Sequence, residues 1–231
     1  MSRITVVRLP LPAGANPIER VLSTIGRVDL ALADALHAES APRPYSVVVR
    51  PGLLDVAAFR DDVAMAVLRG EPLARLVTRV DRDALARDGA GDRVLRLAFE
   101  TPTHFRVRGL YHIIPDIWHA FGGLLERWRA LGWPELEPPD LRCVAVQLDR
   151  YRVERLGEHR GFIGVIWLDL LALPEPDRAT LWTLARFGEY RGVGAHTSYG
   201  MGRMRVLVRD ERWEPGVRLA CWDPVPVREA A

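Results

Sequence analysis

The order of strands and helices predicted in the second half of the chain constrains the fold most. From Arg93, the stretch "RVLRLAFETPTHFRV" predicts a strand that bends at Thr101-Pro102 and precedes a helix over 115–132. Two long predicted strands follow, "LRCVAVQLDRYRVERL" and "RGFIGVIWLDLL", joined by a hairpin turn at Gly157 to His159. A helix in "PEPDRATLWTLARFGEY" and a strand in "RMRVLVRD" complete the order β-α-β-β-α-β.

The first half of the chain gives an incomplete version of the same order. The stretch "RITVVRLPL" predicts a strand, and Asn16 followed by Pro17 is a favourable start for a helix over 17–37. A second strand in "PRPYSVVVRPG" precedes a helix over 55–70, and "LARLVTRVDRD" indicates a further strand. We therefore predict an α+β fold with two ferredoxin-like (RRM-like, βαββαβ) domains in tandem, of which the N-terminal one is degraded.

The best candidate for a domain boundary is the stretch "RDGAGD" at 87–92. It contains two glycines with charged neighbours and shows no apolar periodicity. We expect an N-terminal domain over 1–88, a C-terminal domain over 92–210 and a loose tail over 211–231.

Composition leaves the function open but excludes several classes. No apolar run is long enough to span a membrane, and two cysteines, Cys143 and Cys221, make neither a disulfide scaffold nor a cysteine metal box. We therefore expect a cytoplasmic protein. All 32 basic residues are arginine, a planar donor suited to phosphate. A pI of 8.8 permits nucleic-acid binding without demanding it.

Four glycines lie close together in "GEYRGVGAHTSYGMGRMRV", at Gly192, Gly194, Gly200 and Gly202. A Walker A loop is excluded because the chain has no lysine. A dinucleotide fingerprint is excluded because these glycines follow a predicted helix and precede a strand, the reverse of what that motif requires. Two interpretations remain. The loop lays its backbone N–H groups along an extended polyanion, or it is a tight turn whose glycines serve positive φ and close packing.

Two blocks of sequence resemble one known family. "LRLAFETPTHFR" with the following "IIPDIWHAFGGLLERWRALG" is similar to a strand and proline-led helix of the CRISPR repeat-processing endoribonucleases of the RAMP superfamily. "LARFGEYRGVGAHTSYGMGRMRV" resembles the glycine-rich C-terminal block of the same family. Together the blocks cover about residues 93 to 208, whereas the N-terminal half matches in layout more than in motif.

The resemblance implies an endoribonuclease that cuts CRISPR precursor RNA within its repeats without a metal or any other cofactor. The 2′-hydroxyl would attack the adjacent phosphate and leave a 2′,3′-cyclic phosphate and a 5′-hydroxyl. The enzyme could then hold the processed crRNA. The implied partner is the repeat RNA, with an effector complex as a further one. We expect no membrane association and either a monomer or a homodimer.

The resemblance also implies positions for the chemistry. The family usually takes its general base from a histidine near the end of the first helix, and His37 is the only histidine in the first 100 residues. Arg43, six residues on, is where a basic residue would stabilise the phosphorane. The first helix has no aromatic residue, so Ser23 is named as the further catalytic candidate and the general acid stays unassigned.

The implied RNA-binding residues lie in the glycine-rich stretch and one hairpin. Tyr199 is suited to stacking on a base. His104, His112 and His119 could together suggest a metal site, but Pro115 intervenes and we predict none. The expected RNA-binding set is Arg191, Gly192, Gly194, His196, Thr197, Ser198, Tyr199, Gly200, Gly202 and Arg203, with Arg160 from the hairpin between the long strands.

Two alternatives stay open. The first is a non-catalytic RAMP-type subunit of a CRISPR effector complex that binds crRNA with the same fold and has no need of His37. The second is an unrelated ferredoxin-like ligand-binding protein, which the two motif blocks disfavour.

Overall fold

The computed structural model describes residues 3–38, 43–87 and 92–207. The proposed boundary stretch at 87–92 falls largely outside this range, and the proposed tail over 211–231 falls wholly outside it. Within the described residues, none of the helices is long and apolar enough to cross a membrane.

The N-terminal half forms one antiparallel sheet with helices against it. Its sheet has the order β2-β3-β1-β4, which is the order of a complete ferredoxin-like domain. The elements are β1 (Arg3–Pro10), α1 (Pro17–Gly26), α2 (Leu30–Ala38), β2 (Tyr45–Arg50), β3 (Leu53–Ala58), α3 (Asp61–Gly70), β4 (Arg75–Asp81) and α4 (Arg82–Arg87).

The prediction of a degraded N-terminal domain is therefore wrong. Strand β3 occupies the first residues of the stretch predicted as a helix over 55–70. It is an inner strand, nearly all of whose residues are buried, so the alternation that marks a half-exposed strand is absent from its sequence. Its Asp55 is buried and pairs with Arg8 of β1 at 2.6 Å and Arg50 of β2 at 2.7 Å.

The helix predicted over 17–37 is broken in two. Asn16 caps α1 as predicted, accepting hydrogen bonds from the backbone N–H groups of Ile18 and Glu19. The helix ends at Gly26, and Asp29 starts α2 by accepting a hydrogen bond from the N–H of Leu32 at 2.9 Å. An aspartate at this position satisfies a free N–H of the new helix, so a local cap overrides the apolar periodicity.

The C-terminal half repeats the architecture with the sheet order β10-β5-β9-β8. The tandem ferredoxin-like fold is thus confirmed, as is the predicted turn between the two long strands. A short hairpin, β6 with β7, follows β5 and was not predicted. The elements are β5 (Val94–Thr103), β6 (Phe105–Val107), β7 (Leu110–His112), α5 (Ile117–Ala130), β8 (Ala145–Leu156), β9 (His159–Asp169), α6 (Glu175–Arg191) and β10 (Met204–Val206).

One hydrophobic core spans both halves. Ile4, Val6 and Phe59 of the N-terminal half are buried in the same cluster as Phe99 and Phe187 of the C-terminal half. The rings of Phe59 and Phe187 meet edge to face with centroids 5.6 Å apart. A second cluster fills the space between the N-terminal sheet and its helices. The two domains are therefore packed against each other through apolar side chains.

Candidate functional site

His37 lies exposed in the last turn of α2. Arg43 follows the undescribed residues 39–42, and its guanidinium Nη1 lies 3.5 Å from the hydroxyl oxygen of Ser198 in the glycine-rich stretch. Ser23 is exposed on α1, where its hydroxyl donates to the carbonyl of Arg20 in its own helix. Among the described residues, no hydrogen bond or ring contact joins His37 to Ser23 or to Arg43. Of these three residues, Arg43 is the one for which the described part of the chain shows a hydrogen bond to the stretch.

The glycine-rich stretch packs tightly against the protein itself. All four of its predicted glycines have positive φ, between +69° and +87°. A Cβ at Gly194 would lie under 3.0 Å from the carbonyl oxygen of His104, and one at Gly202 would meet the carbonyl of Val193 as closely. At these two positions the geometry requires glycine for positive φ and for close packing, which was the second of the two interpretations.

Backbone hydrogen bonds hold this stretch to the end of strand β5 and to His104, which follows it. The N–H of Ala195 donates to the carbonyl of His104 at 2.9 Å, and that of Gly202 donates to the carbonyl of Pro102 at 3.1 Å. Within the stretch, the N–H of Val193 donates to the carbonyl of Gly202 at 2.7 Å. These N–H groups are used inside the protein, so they are not available to a bound polyanion.

Two arginines of the expected RNA-binding set are engaged internally. Arg191 is buried and donates to the carbonyl of Tyr45 and the hydroxyl of Thr197, both at 3.3 Å. Burial, and then the positive charge of Arg127, lower the pKa of the Arg191 guanidinium to about 9. Arg203 pairs with Glu100 at 2.7 Å, and both side chains are largely buried. In this geometry Arg191, Thr197 and Arg203 fix the shape of the stretch.

Other members of the set reach the surface. Tyr199 is 43% exposed, and Ser198 and His196 are half-buried. His196 has a left-handed φ of +58°, which is uncommon outside glycine and costs on the order of 1 kcal/mol. Arg160 is exposed at the start of β9. These residues are the part of the stretch and hairpin that a ligand can contact.

Three histidines and two tyrosines from separate segments meet beside the glycine-rich stretch. We call them the histidine–tyrosine cluster: His104, Tyr111, His159, His196 and Tyr199. The rings of His159 and His196 stack with centroids 4.2 Å apart, and His104 lies 5.3 Å from His196. The sequence did not predict this grouping, because Tyr111 comes from the β6–β7 hairpin, His159 from the β8–β9 hairpin, and His196 and Tyr199 from the glycine-rich stretch.

Two histidines of this cluster, His104 and His196, have pKa values lowered by burial. Burial lowers the pKa of His104, although a hydrogen bond with the carbonyl of Arg160 opposes the change. That bond joins His104 Nδ1 to the oxygen at 2.8 Å, so Nδ1 carries the proton, while buried Nε2 has no hydrogen-bond partner. Burial, and then the charges of His159 and His104, lower the pKa of His196.

A cavity of about 160 Å³ with four arginines in its wall lies where the two halves meet. Arg127 of α5 reaches from this wall to the carbonyls of Gly192 and Gly194. Burial lowers the pKa of Arg127, as it does that of Arg191. The result is a concentration of positive charge beside Arg43. We call this the arginine cavity; its wall is formed by Arg43, Pro44, Arg60, Arg127, Ala130, Leu131 and Arg191.

The structure regroups the histidines that had suggested a metal site. His104 belongs to the histidine–tyrosine cluster, whereas His112 and His119 lie together with Asp116. Pro115 does not separate them, because it lies in the loop between β7 and α5.

Comparison with known proteins gives a consistent result. The family model for "CRISPR-associated endoribonuclease Cas6" matches residues 97–204. A curated protein of that name from Streptococcus thermophilus is 30% identical over 125 residues, which are 50% of this chain and 51% of the relative. The match therefore spans about half the length of that relative.

Solved structures extend the similarity to the fold of the whole chain. A Cas6 product complex has a TM-score of 0.72 at 22% identity, covering 89% of this chain and all of the other. An H37A mutant of the same Cas6 has a TM-score of 0.69 at 23% identity, covering 90% of this chain and all of the other. A Thermus thermophilus Cas6 has a TM-score of 0.67 at 24% identity, covering 90% of this chain and 99% of the other. The C-terminal half of the chain is thus similar in sequence to the CRISPR-associated endoribonuclease Cas6, and about nine-tenths of the chain shares the fold of the solved Cas6 structures.

Proposed function

We propose that this protein cleaves CRISPR precursor RNA within its repeats, without a metal, by attack of a 2′-hydroxyl on the adjacent phosphate. The observation that carries the proposal is the contact of Arg43 with Ser198. It places the basic residue that follows His37 against the glycine-rich stretch. An RNA lying on that stretch would therefore have a phosphate within reach of Arg43.

The chemistry needs little from the protein beyond positioning, a base and positive charge. The 2′-hydroxyl is already next to the phosphorus it attacks, so the substrate itself supplies proximity. His37 is exposed, and its imidazole can take the proton of the 2′-hydroxyl. Arg43 would stabilise the negative charge that develops on the phosphorane oxygens. The products would be a 2′,3′-cyclic phosphate and a 5′-hydroxyl.

One solved relative supports the choice of a histidine. One of the solved Cas6 proteins similar to this chain is an H37A mutant, in which a histidine is replaced by alanine. For this chain we propose His37 as the base on its position and exposure. Ser23 remains a proposal for contact with the RNA. We leave the general acid unassigned, because a serine hydroxyl does not titrate near neutrality and an arginine does not release its proton.

The surface beside Arg43 suits an RNA backbone. Tyr199 and Arg160 are exposed and offer stacking and charge, respectively, and Ser198 and His196 lie beside Tyr199. The four arginines in the wall of the arginine cavity add positive charge to this surface, and positive charge attracts phosphate groups. We propose that Tyr199, Ser198, His196 and Arg160 contact the RNA. The buried glycines, Arg191, Thr197 and Arg203 would act by shaping the stretch.

The test is cleavage of a repeat-containing RNA in EDTA by wild-type protein, His37→Ala and Asp34→Asn. Asp34 is exposed one turn before His37, so its variant controls for changes in α2. We expect cleavage by wild type and Asp34→Asn, and at least about a 100-fold loss for His37→Ala, the usual contribution of a positioned base. A substrate with a 2′-deoxy sugar before the cut should stay intact.

The outcomes separate the alternatives. If RNA binds but neither wild type nor Asp34→Asn cuts it, the protein is a non-catalytic crRNA-binding subunit of an effector complex. If cleavage needs a divalent ion, the proposed chemistry is wrong. If no RNA binds, the whole proposal fails.

A further inference from the structure

We propose that His112, Asp116 and His119 form a binding site for a divalent first-row transition metal, with Zn²⁺ as the best fit. Each residue presents one ligand atom, and all three atoms lie within 4.8 Å of one another. Two imidazoles and one carboxylate are a donor set that suits Zn²⁺, Ni²⁺ or Cu²⁺ and is poor for Mg²⁺ or Ca²⁺. The site uses neither His37 nor His196, the histidines that we assign to cleavage and RNA contact, and it does not depend on the proposed cleavage.

The backbone positions the three ligands. His112 ends β7, which is paired with β6, and Asp116 is the N-cap of α5, so the loop between them is anchored at both ends. His119 follows in the first turn of α5, on the side of the helix where Asp116 caps it. Residues three apart on a helix share a face, so this pair converges without any rearrangement of the backbone.

The distances are close to those of a metal site. His119 Nδ1 lies 2.8 Å from the Asp116 Oδ2. Two ligands about 2.0–2.1 Å from a tetrahedral ion are about 3.3 Å apart, so a small side-chain movement makes room for the ion. The cation would take the place of the hydrogen that now lies between the two groups, and a neutral His119 ring would then carry its proton on Nε2.

An independent observation comes from His112. Its Nδ1 is buried and has no hydrogen-bond partner. A buried ring nitrogen without a partner is an unsatisfied group, and a metal ion would satisfy it. The rings of His112 and His119 are 6.1 Å apart between centroids, which leaves room for an ion between their nitrogens.

Metal at this site would join the β6–β7 hairpin to the start of α5. Tyr111 precedes His112 on that hairpin and its ring lies 4.6 Å from that of His104. A metal ion that holds this hairpin in place would thus also hold Tyr111, one member of the histidine–tyrosine cluster, in place.

The test is direct metal binding by untagged, chelator-treated full-length protein, titrated with Zn²⁺ against a chromogenic chelator. We expect one equivalent per chain, with affinity lowered at least about tenfold in His119→Ala and in Asp116→Asn. Asparagine caps a helix about as well as aspartate, so Asp116→Asn separates loss of a ligand from loss of folding. His159→Ala is the matched control from the other group of histidines and should bind as wild type does.

X-ray absorption of the Zn²⁺ form distinguishes the ligands. We expect a shell of nitrogen and oxygen only, whereas sulfur at about 2.3 Å would mean that a cysteine holds the metal and would overturn the proposal. Sub-stoichiometric binding by wild type would overturn it too. So would an affinity that His159→Ala lowers as much as His119→Ala does.

Discussion

Replacing Gly194 by alanine tests whether the glycine-rich stretch is shaped by packing. Gly194 has φ +80° and Gly109 has φ +84°, so both substitutions carry the same backbone penalty of about 1–2 kcal/mol. A Cβ at Gly109 meets nothing within 4 Å, whereas one at Gly194 overlaps the carbonyl of His104. Relieving that overlap costs about 1–3 kcal/mol, and it disturbs the hydrogen bond from Ala195, worth about 1 kcal/mol. Gly194→Ala should therefore lose about 3–6 kcal/mol and Gly109→Ala about 1–2 kcal/mol.

The assay is urea unfolding followed by tryptophan fluorescence. All seven tryptophans lie after residue 110, so the signal reports the C-terminal half in which both glycines lie. The difference between the two midpoints, at equal slope, isolates the packing contribution. Equal destabilisation by the two substitutions would show that the stretch has room for a side chain. The glycines of the stretch would then serve to let a bound ligand lie close to the backbone, rather than to allow packing within the protein.

Three further predictions concern the buried charge, the histidines and the exposed tyrosine. Asp55→Asn should lower the free energy of unfolding by about 3–5 kcal/mol in thermal unfolding, because it leaves Arg8 and Arg50 without their buried carboxylate. The control is Asp62→Asn at an exposed ion pair, which should change that free energy by under about 1 kcal/mol. Because burial lowers the folded-state pKa of His104, the unfolded state binds the proton more readily, so stability is full above about pH 6.5 and falls as the pH drops below it. His104→Asn should reduce that slope, measured as unfolding free energy between pH 7 and 5; an unchanged slope would contradict the assignment. Tyr199→Ala should weaken RNA binding by about 1–3 kcal/mol in fluorescence anisotropy with little change in melting temperature, and unchanged affinity would remove the stacking role.

The C-terminal half was largely predictable because its two long strands are separated by a clear turn at Gly157 and because Pro115 and Gly132 mark the ends of a helical pattern. Asp116 and Gly132 bracket α5 where capping rules place them. The errors arose where burial or a local cap overrode periodicity. Strand β3 is buried nearly throughout, so its sequence does not alternate between apolar and polar residues. Asp29 begins a new helix, although the apolar residues keep the same helical spacing before and after it.

The site was less predictable because its geometry depends on contacts distant in sequence. Spacing identified the glycines but could not tell packing from ligand contact, since the carbonyl that Gly194 meets belongs to His104, ninety residues earlier. Arg191 could be recognised as basic, yet its burial follows from the contact between the two halves. The grouping of His104, His159 and His196 had no signal in sequence, because three separate segments supply it.

The core that Ile4, Val6 and Phe59 share with Phe187 has a consequence for how RNA is recognised. A hinge between the halves would have to expose these side chains to water, at about 25 cal/mol for each Å² of apolar surface. While that interface stays closed, the contact of Arg43 with the glycine-rich stretch keeps its place. An RNA bound as proposed would then have to fit this surface as it stands, so the shape of its backbone would be selected before any base is read.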